Sequence, residues 1–196
     1  EKNHIKPKYI LNTHHHYDHV GGNQDIKNQY GSKILGYVED KDRIPGIDLL
    51  LDDQEVWKQK NFQAKILHIP GHTTGHICYY CFNEKIVFTG DTLFSLGCGK
   101  IFEGTYDQMY ESLKKFKDFP LETKIYCGHE YTLQNSKFCI KHDPLNKKLA
   151  NKILQIEKNI YDGNPTVPST IKDELECNIF LRANDIAGFS KLRDLK

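Results

Sequence analysis

Apolar positions in the first two thirds of the chain fall into short runs separated by turn residues. YILNT, SKILGYV, QAKILHIP, HICYYCF, KIVFTG and TKIYCG are rich in Ile, Val, Tyr and Phe and bounded by Gly, Pro or Asp, which predicts strands. Asn23 to Tyr30 and Thr105 to Phe116 carry helical spacing instead. In the second of these, Tyr106, Met109, Tyr110, Leu113 and Phe116 share a face and Thr105 is placed to cap the first turn. After His129 the texture changes: Leu133 to Lys141, Lys147 to Asn159 and Ser169 to Leu175 read as helices, joined by polar turns and by the linker NPTVPST. The expected organisation is a strand-dominated α/β part over 1–130 and a helical part over 131–196.

Length and charge narrow the partners. A chain of 196 residues can bury one good core without disulfide staples. Lys and Arg number 27 against 26 Asp and Glu, a net of +1, so no strong field gathers nucleic acid or an anionic membrane, and small-molecule partners are expected. No apolar run approaches the ~20 residues that span a bilayer, and no charged-then-apolar opening reads as a signal peptide. The expectation is a monomer in the cytoplasm, or in an organelle, with its six cysteines as free thiols. Residue 1 is Glu, Met109 is the only methionine, and the opening EKNHIKPK is charged and helix-like, which reads as a chain with something removed upstream.

The strongest chemical signal is THHHYDH, Thr13 to His19, placed directly after the strand-like YILNT and before GGN. His14 and His16 are two apart, so an extended segment points both to one side, and Asp18 and His19 follow where the chain turns. Three more ligand-type residues stand after apolar strands and Gly-bearing turns: His72 in IPGHTTGH, Asp91 in VFTGDTLF and His129 in IYCGHEY. A lone histidine is usually a satisfied surface or core residue, but the recurrence of strand, glycine, ligand argues for convergence on one point. Seven ligands are too many for one tetrahedral ion. They divide into His14, His16 and His72 for one metal and Asp18, His19 and His129 for the other, with Asp91 between them and a bridging water that coordination turns into hydroxide near neutral pH. Two ions are therefore expected, zinc first, with iron or manganese as rivals that the same donors accept.

The HxHxDH pattern with its separate His, Asp and His resembles the metallo-β-lactamase superfamily, an αββα sandwich. Within it, THHHYDHVGGN, PGHTTGHICYY, GDTLFSLGCGKIFEG, IYCGHEYT and PTVPST are similar to the glyoxalase II family, over about residues 9–188. That resemblance implies a catalytic domain followed by a helical substrate-binding domain, and hydrolysis of S-(2-hydroxyacyl)glutathione to glutathione and a 2-hydroxy acid such as D-lactate. Asp18 and Asp91 would be the catalytic carboxylates, and Lys100, Phe102, Tyr131 and Arg182 would line the glutathione site. Taken alone, Lys100 and Arg182 read as solvated surface charges. Phe102 stands where the family usually has a tyrosine, and ANDIAG after Arg182 lacks an expected lysine. The family also opens with a strand-rich segment not seen here, so the first sheet is expected to expose an apolar face and an unpaired edge.

Neighbouring groups take lesser parts. His15 faces away from its flanking ligands and His76 starts a strand, so both are expected to support rather than bind metal. Cys78 and Cys81, three apart in a strand, project to opposite faces and form neither a redox pair nor a metal clip. Two rival readings remain: a persulfide dioxygenase of the same fold with a single iron, and a binding fragment without activity. A nuclease of this fold is disfavoured by the balanced charge.

Overall fold

The computed structural model describes residues 5–196; the opening residues 1–4 lie outside it, and Ile5 to Lys8 form no regular element where a helix-like segment is expected. The chain begins with strand β1 (Tyr9–Leu11), then helices α1 (Tyr17–Val20) and α2 (Asn23–Tyr30), then β2 (Lys33–Tyr37) and β3 (Leu49–Leu51). These three strands form a parallel sheet in the order β1-β2-β3. A second sheet is built from β4 (Val56–Gln59), β5 (Phe62–His68), β6 (Ile77–Cys81) and β7 (Ile86–Gly90), all antiparallel neighbours. The short hairpin of β8 (Leu93–Phe94) and β9 (Gly97–Cys98) precedes α3 (Tyr106–Lys115). The chain then returns as β10 (Lys124–Cys127), parallel to β7. Helices α4 (Thr132–His142) and α5 (Lys147–Tyr161), strand β11 (Ser169–Thr170), and helices α6 (Ile171–Cys177) and α7 (Ile186–Asp194) complete it. The large sheet runs β11-β10-β7-β6-β5-β4.

Alternation along the strands explains the layers. On β6, Ile77, Tyr79 and Cys81 enter the space between the two sheets, where they meet Leu35, Leu51 and Ile66, while Cys78 points the other way into the core under the helices. Val20, Ile34 and Ile44 seal α1 and α2 onto the outer face of the small sheet. The result is the αββα sandwich with a helical C-terminal region. All six cysteines are free thiols. Among the described residues, no helix is long and apolar enough to cross a membrane.

Helix boundaries follow from capping. Thr105 accepts from the backbone of Gln108, whose side chain bonds back to Thr105, a closed capping box at the start of α3. The helix expected from Ser169 starts two residues later. Ser169 and Thr170 instead pair with Ile125 and Lys124 of β10, and Thr170 caps α6 through a second box with Asp173. The sequence pattern does not single out strands β3 and β4 or helix α7; in β4, VWKQ alternates exposed Val56 and Lys58 with partly buried Trp57 and Gln59.

The expected open face is present. β1 is paired on one side only among the described residues. The small sheet leaves part of the large one bare, so that Phe88, on the same face as Ile86, is 41% exposed and packs on Tyr126 beside a groove of about 420 Å³.

The helical region does not have a core of its own. Met109 and Leu113 of α3, Val87 of β7, Ile125 of β10, Cys139 of α4, Ile156 of α5 and Phe189 of α7 belong to one continuous buried cluster, at whose centre Phe180 stacks on Phe138 with ring centroids 5.7 Å apart. We expect Phe180→Ala to cost about 3–5 kcal/mol. Trp57, the only tryptophan, reports on the strand-rich half, and far-UV circular dichroism reports on the helices. Both signals should shift together in one transition; loss of helix signal with Trp57 fluorescence unchanged would show two independent units.

Candidate metal centre

Both sheets hold the loop that follows β1. The backbone N–H of Asn12 donates to Leu35 O at 2.9 Å, the Tyr79 hydroxyl donates to Asn12 O at 2.8 Å, and Ile77 N donates to Thr13 O at 2.9 Å. The Asn12 amide closes the far end of the loop by donating to His19 O at 3.1 Å. His14 and His16 therefore leave a fixed backbone, and α1 carries Asp18 and His19 on the following turn.

The other three ligand-type residues arrive from the large sheet. β7 and β10 are parallel neighbours, so their C-terminal ends deliver Asp91 and His129 side by side, with Gly128 N bonded to Gly90 O at 2.9 Å. Glycine is required at both turns. Gly90 is in the left-handed region at φ 49°, and a Cβ on Gly128 would run into the Asp91 carboxylate. His72 comes from the loop between β5 and β6.

Seven side chains converge. The ring nitrogens His14 Nε2 and His16 Nδ1 are 3.2 Å apart, and His72 Nε2 lies 3.0 Å from His16 Nδ1. Asp18 Oδ2 is 3.5 Å from His19 Nε2 and 3.3 Å from His129 Nε2. Asp91 turns one oxygen toward each neighbour, Oδ1 3.3 Å from His19 Nε2 and Oδ2 3.3 Å from His129 Nε2, with His72 Nε2 at 3.7 Å. The donor atoms of His14, His16 and His72, of His14, His19 and Asp91, and of Asp18, His19 and His129 each lie within 4.8 Å of one another.

These distances are close to those of donors around one shared ion. Two nitrogens each about 2.1 Å from one tetrahedral ion sit about 3.4 Å apart. Asp91 Oδ1 and His19 Nε2 are close, yet neither is aligned on the other and neither has another hydrogen-bond partner among the described residues, as atoms aimed at a shared third point would be. Three of the five imidazoles are pushed toward the neutral state that binds metal, while Asp91, against the effect of burial, raises His19. Burial, then the neighbouring histidines, push His14 far below the ordinary histidine range, and burial lowers His72 and His16 as well. Burial works against the Asp91 carboxylate, but His19 and His129 outweigh it and keep the group ionised.

Surrounding groups aim these donors. His72 Nδ1 donates to Lys100 O at 2.7 Å, leaving Nε2 for the centre. His76, fully buried with its pKa pushed down to about 3 by burial and by His72, accepts from Asp91 N at 3.0 Å. His15 turns away, as expected, between Asp40 at 3.4 Å and Glu103 at 3.2 Å. Arg43 pairs with both of those acids, and Glu103 accepts from Thr74 N at 2.9 Å, so one ion network ties the His15 and His72 loops together.

A cleft of about 170 Å³ opens beside the centre, lined by Phe94, Lys100, Tyr131, Asn135, Arg193 and Lys196 among others. Tyr131 stacks on the His129 ring with centroids 5.0 Å apart. Phe102, 60% exposed, sets its ring edge-to-face with His16 and His72, and Lys100 Nζ lies 5.3 Å from it. Arg182 is not brought here. It pairs with Asp143 and lines a separate depression with His142 and Asp185, away from the other expected substrate residues. Arg193 and Lys196 occupy the cleft instead. The sequence reading missed them because α7 itself was missed; their spacing of three places both on one side of that helix and its extension.

Comparison with known proteins agrees with this geometry. Residues 2–129 match the model of the metallo-beta-lactamase superfamily, and residues 130–196 match that of the hydroxyacylglutathione hydrolase C-terminus. Hydroxyacylglutathione hydrolase of Pelagibacter ubique is 66% identical over 196 residues, which is 100% of this chain and 82% of that protein. Among solved structures, ETHE1 from Myxococcus xanthus has a TM-score of 0.72 at 21% identity, covering 98% of this chain and 71% of that one. TTHA1623, crystallised in a di-iron-bound form, has a TM-score of 0.55 at 27% identity, covering 65% of this chain and 72% of that one.

The buried neutral histidines set a pH dependence for the metal-free protein. Unfolded, His76 takes a proton near 6.5; folded, it resists down to about 3, so the unfolded state holds more protons between those values and stability falls as pH falls. The slope from this one group is at most about 1.4 kcal/mol per pH unit. Melting of the metal-stripped chain should therefore move down steadily from pH 7 to pH 4, and a His76→Asn variant should show a shallower slope; equal slopes would contradict the assignment.

Proposed function

Because the chain belongs to the metallo-beta-lactamase superfamily and, within it, to the hydroxyacylglutathione hydrolases, we propose that it hydrolyses S-(2-hydroxyacyl)glutathione thioesters, such as S-D-lactoylglutathione, at a centre of two metal ions. The observation that carries this reading is the convergence of seven His and Asp donors beside a cleft lined by cations. His14, His16 and His72 would hold one ion and Asp18, His19 and His129 the other, with Asp91 shared. Such ions lower the pKa of a coordinated water from 15.7 to about 7 and stabilise negative charge on a carbonyl oxygen. We name zinc first, since imidazole and carboxylate donors suit it, and the di-iron form of TTHA1623 makes iron the leading rival.

The protein's own groups do the rest. The Asp18 side chain, 59% exposed, faces His19 and His129 through one oxygen and leaves the other free to accept a proton-bearing partner and orient the attacking water. Attack forms a C–O bond, the C–S bond breaks, and the products are free glutathione and a 2-hydroxy acid. No thiol nucleophile is required: burial holds the Cys127 thiol up to about 11 and raises Cys98, so both stay protonated. Glutathione carries two carboxylates, and Lys100, Arg193 and Lys196 supply matching cations, with Tyr131 as a hydrogen-bond donor. The six free thiols support a reducing compartment such as the cytoplasm. The single-iron dioxygenase reading is not favoured, because Asp18, His19 and His129 form a complete second donor set and the 66% identical relative is a hydrolase.

Thiol release from S-D-lactoylglutathione by the metal-loaded chain tests this directly. Arg193→Ala should raise KM about tenfold, equivalent to about 1.4 kcal/mol, with kcat little changed, and should leave cleavage of a thioester without carboxylates unaffected. Metal-loaded protein that releases no thiol would overturn the reaction, and an unchanged KM in the variant would overturn the placement of glutathione.

A further inference from the structure

The β8–β9 hairpin joins two parts of the molecule. Its base carries the metal centre: Asp91 stands two residues before β8, and Lys100, whose carbonyl orients His72, stands two residues after β9. Phe94 of β8 lies against Tyr131 and the His129 ring. The tip, Ser95 and Leu96, is plugged into the helical region, where Leu96 takes φ 57°, a left-handed conformation that leucine rarely adopts.

Side chains from the helices take up the tip's backbone groups. Glu174 of α6, fully buried, accepts at Oε2 from Leu96 N at 2.8 Å. The same oxygen accepts from Asn178 Nδ2 at 2.8 Å, and that amide also donates to Gly97 O at 3.0 Å. Asn135 of α4 donates to Ser95 O at 2.9 Å, and the Cys139 thiol donates to Leu96 O at 3.1 Å. A completely buried acid is costly unless its oxygens are hydrogen-bonded, and here Oε2 takes both bonds while Oε1 has no partner among the described residues. What this one fixes is the far end of the strand pair that starts at Asp91.

We propose that Glu174 is a positioning residue for the metal centre: through Leu96 N and Asn178 it locks the hairpin tip, and the hairpin in turn sets Asp91 and the carbonyl that aims His72. The proposal rests on the metal-centre reading above. It gives the helical region a second task besides substrate binding, since the binding geometry of the strand-rich half would depend on a side chain from α6. Burial pushes the Glu174 carboxyl up to about 7, and glutamine keeps its shape and an accepting oxygen for Leu96 N and Asn178.

The test is metal affinity of the full chain, measured by competition with a chelator, together with the visible spectrum of the cobalt-substituted protein. Glu174→Ala should weaken binding of one metal equivalent about tenfold or more and alter the cobalt bands, whereas Glu174→Gln should restore both to near wild type. Should Glu174→Ala fail to fold, Asn135→Ala, which removes a single bond to the tip, takes its place, with a smaller loss of affinity expected. A folded Glu174→Ala protein, or failing that an Asn135→Ala protein, with wild-type affinity and an unchanged cobalt spectrum overturns the proposal alone. A wild-type chain that binds no metal overturns the metal-centre reading along with it.

Discussion

Holding seven metal-type donors face to face, mostly out of water, is the constraint on which the rest of this structure depends. Imidazole nitrogens of His14, His16 and His72 stand 3.0 and 3.2 Å apart and Asp91 oxygens 3.3 Å from His19 and His129, and protonation of the cluster would set like charges against each other in a buried site. Three of the donors are fixed from behind, His14 by a loop hung on both sheets, His72 by Lys100 O and Asp91 by His76, and the Arg43 network ties the His15 and His72 loops together. Metal binding then converts this local strain in polar satisfaction into stability, which couples the chemistry of the centre to the fold.

The two sheets and the helices divide that work. The small parallel sheet supplies the HxHxDH loop, the parallel pair β7 and β10 supplies Asp91 and His129, and the helices supply the cleft and the anchor for the β8–β9 hairpin. Because one apolar cluster runs from Val87 and Ile125 through Phe180 to Phe189, the helical region is packed as part of the same body as the strands. The cleft lining from α7 and the donor that follows β7 thus keep a fixed relation.

Much of this was legible in the residues. Strands with period-two patterns, the Thr105 cap and the opposite faces of Cys78 and Cys81 follow from local rules that the structure obeys. The ligand-type residues stood out because each follows an apolar strand and a glycine-bearing or histidine-rich turn. Short strands did not stand out: β8 and β9 have two residues each, and β4 is largely exposed, so neither gives a period to read. The placement of Arg182 was not legible for a related reason. A charge in a loop after a missing helix boundary has no readable direction, and its real partner, Asp143, is 39 positions away. Glu174 was invisible as well, since a glutamate in a helix reads as solvated until its surroundings are seen.

The most direct test of the central claim is a crystal structure of the metal-loaded protein with anomalous scattering collected at the zinc and iron edges. Two peaks are expected, one among His14, His16, His72 and Asp91 and one among Asp18, His19, His129 and Asp91. A single peak with Asp18, His19 and His129 free of metal, or a metal bound elsewhere, would contradict the account.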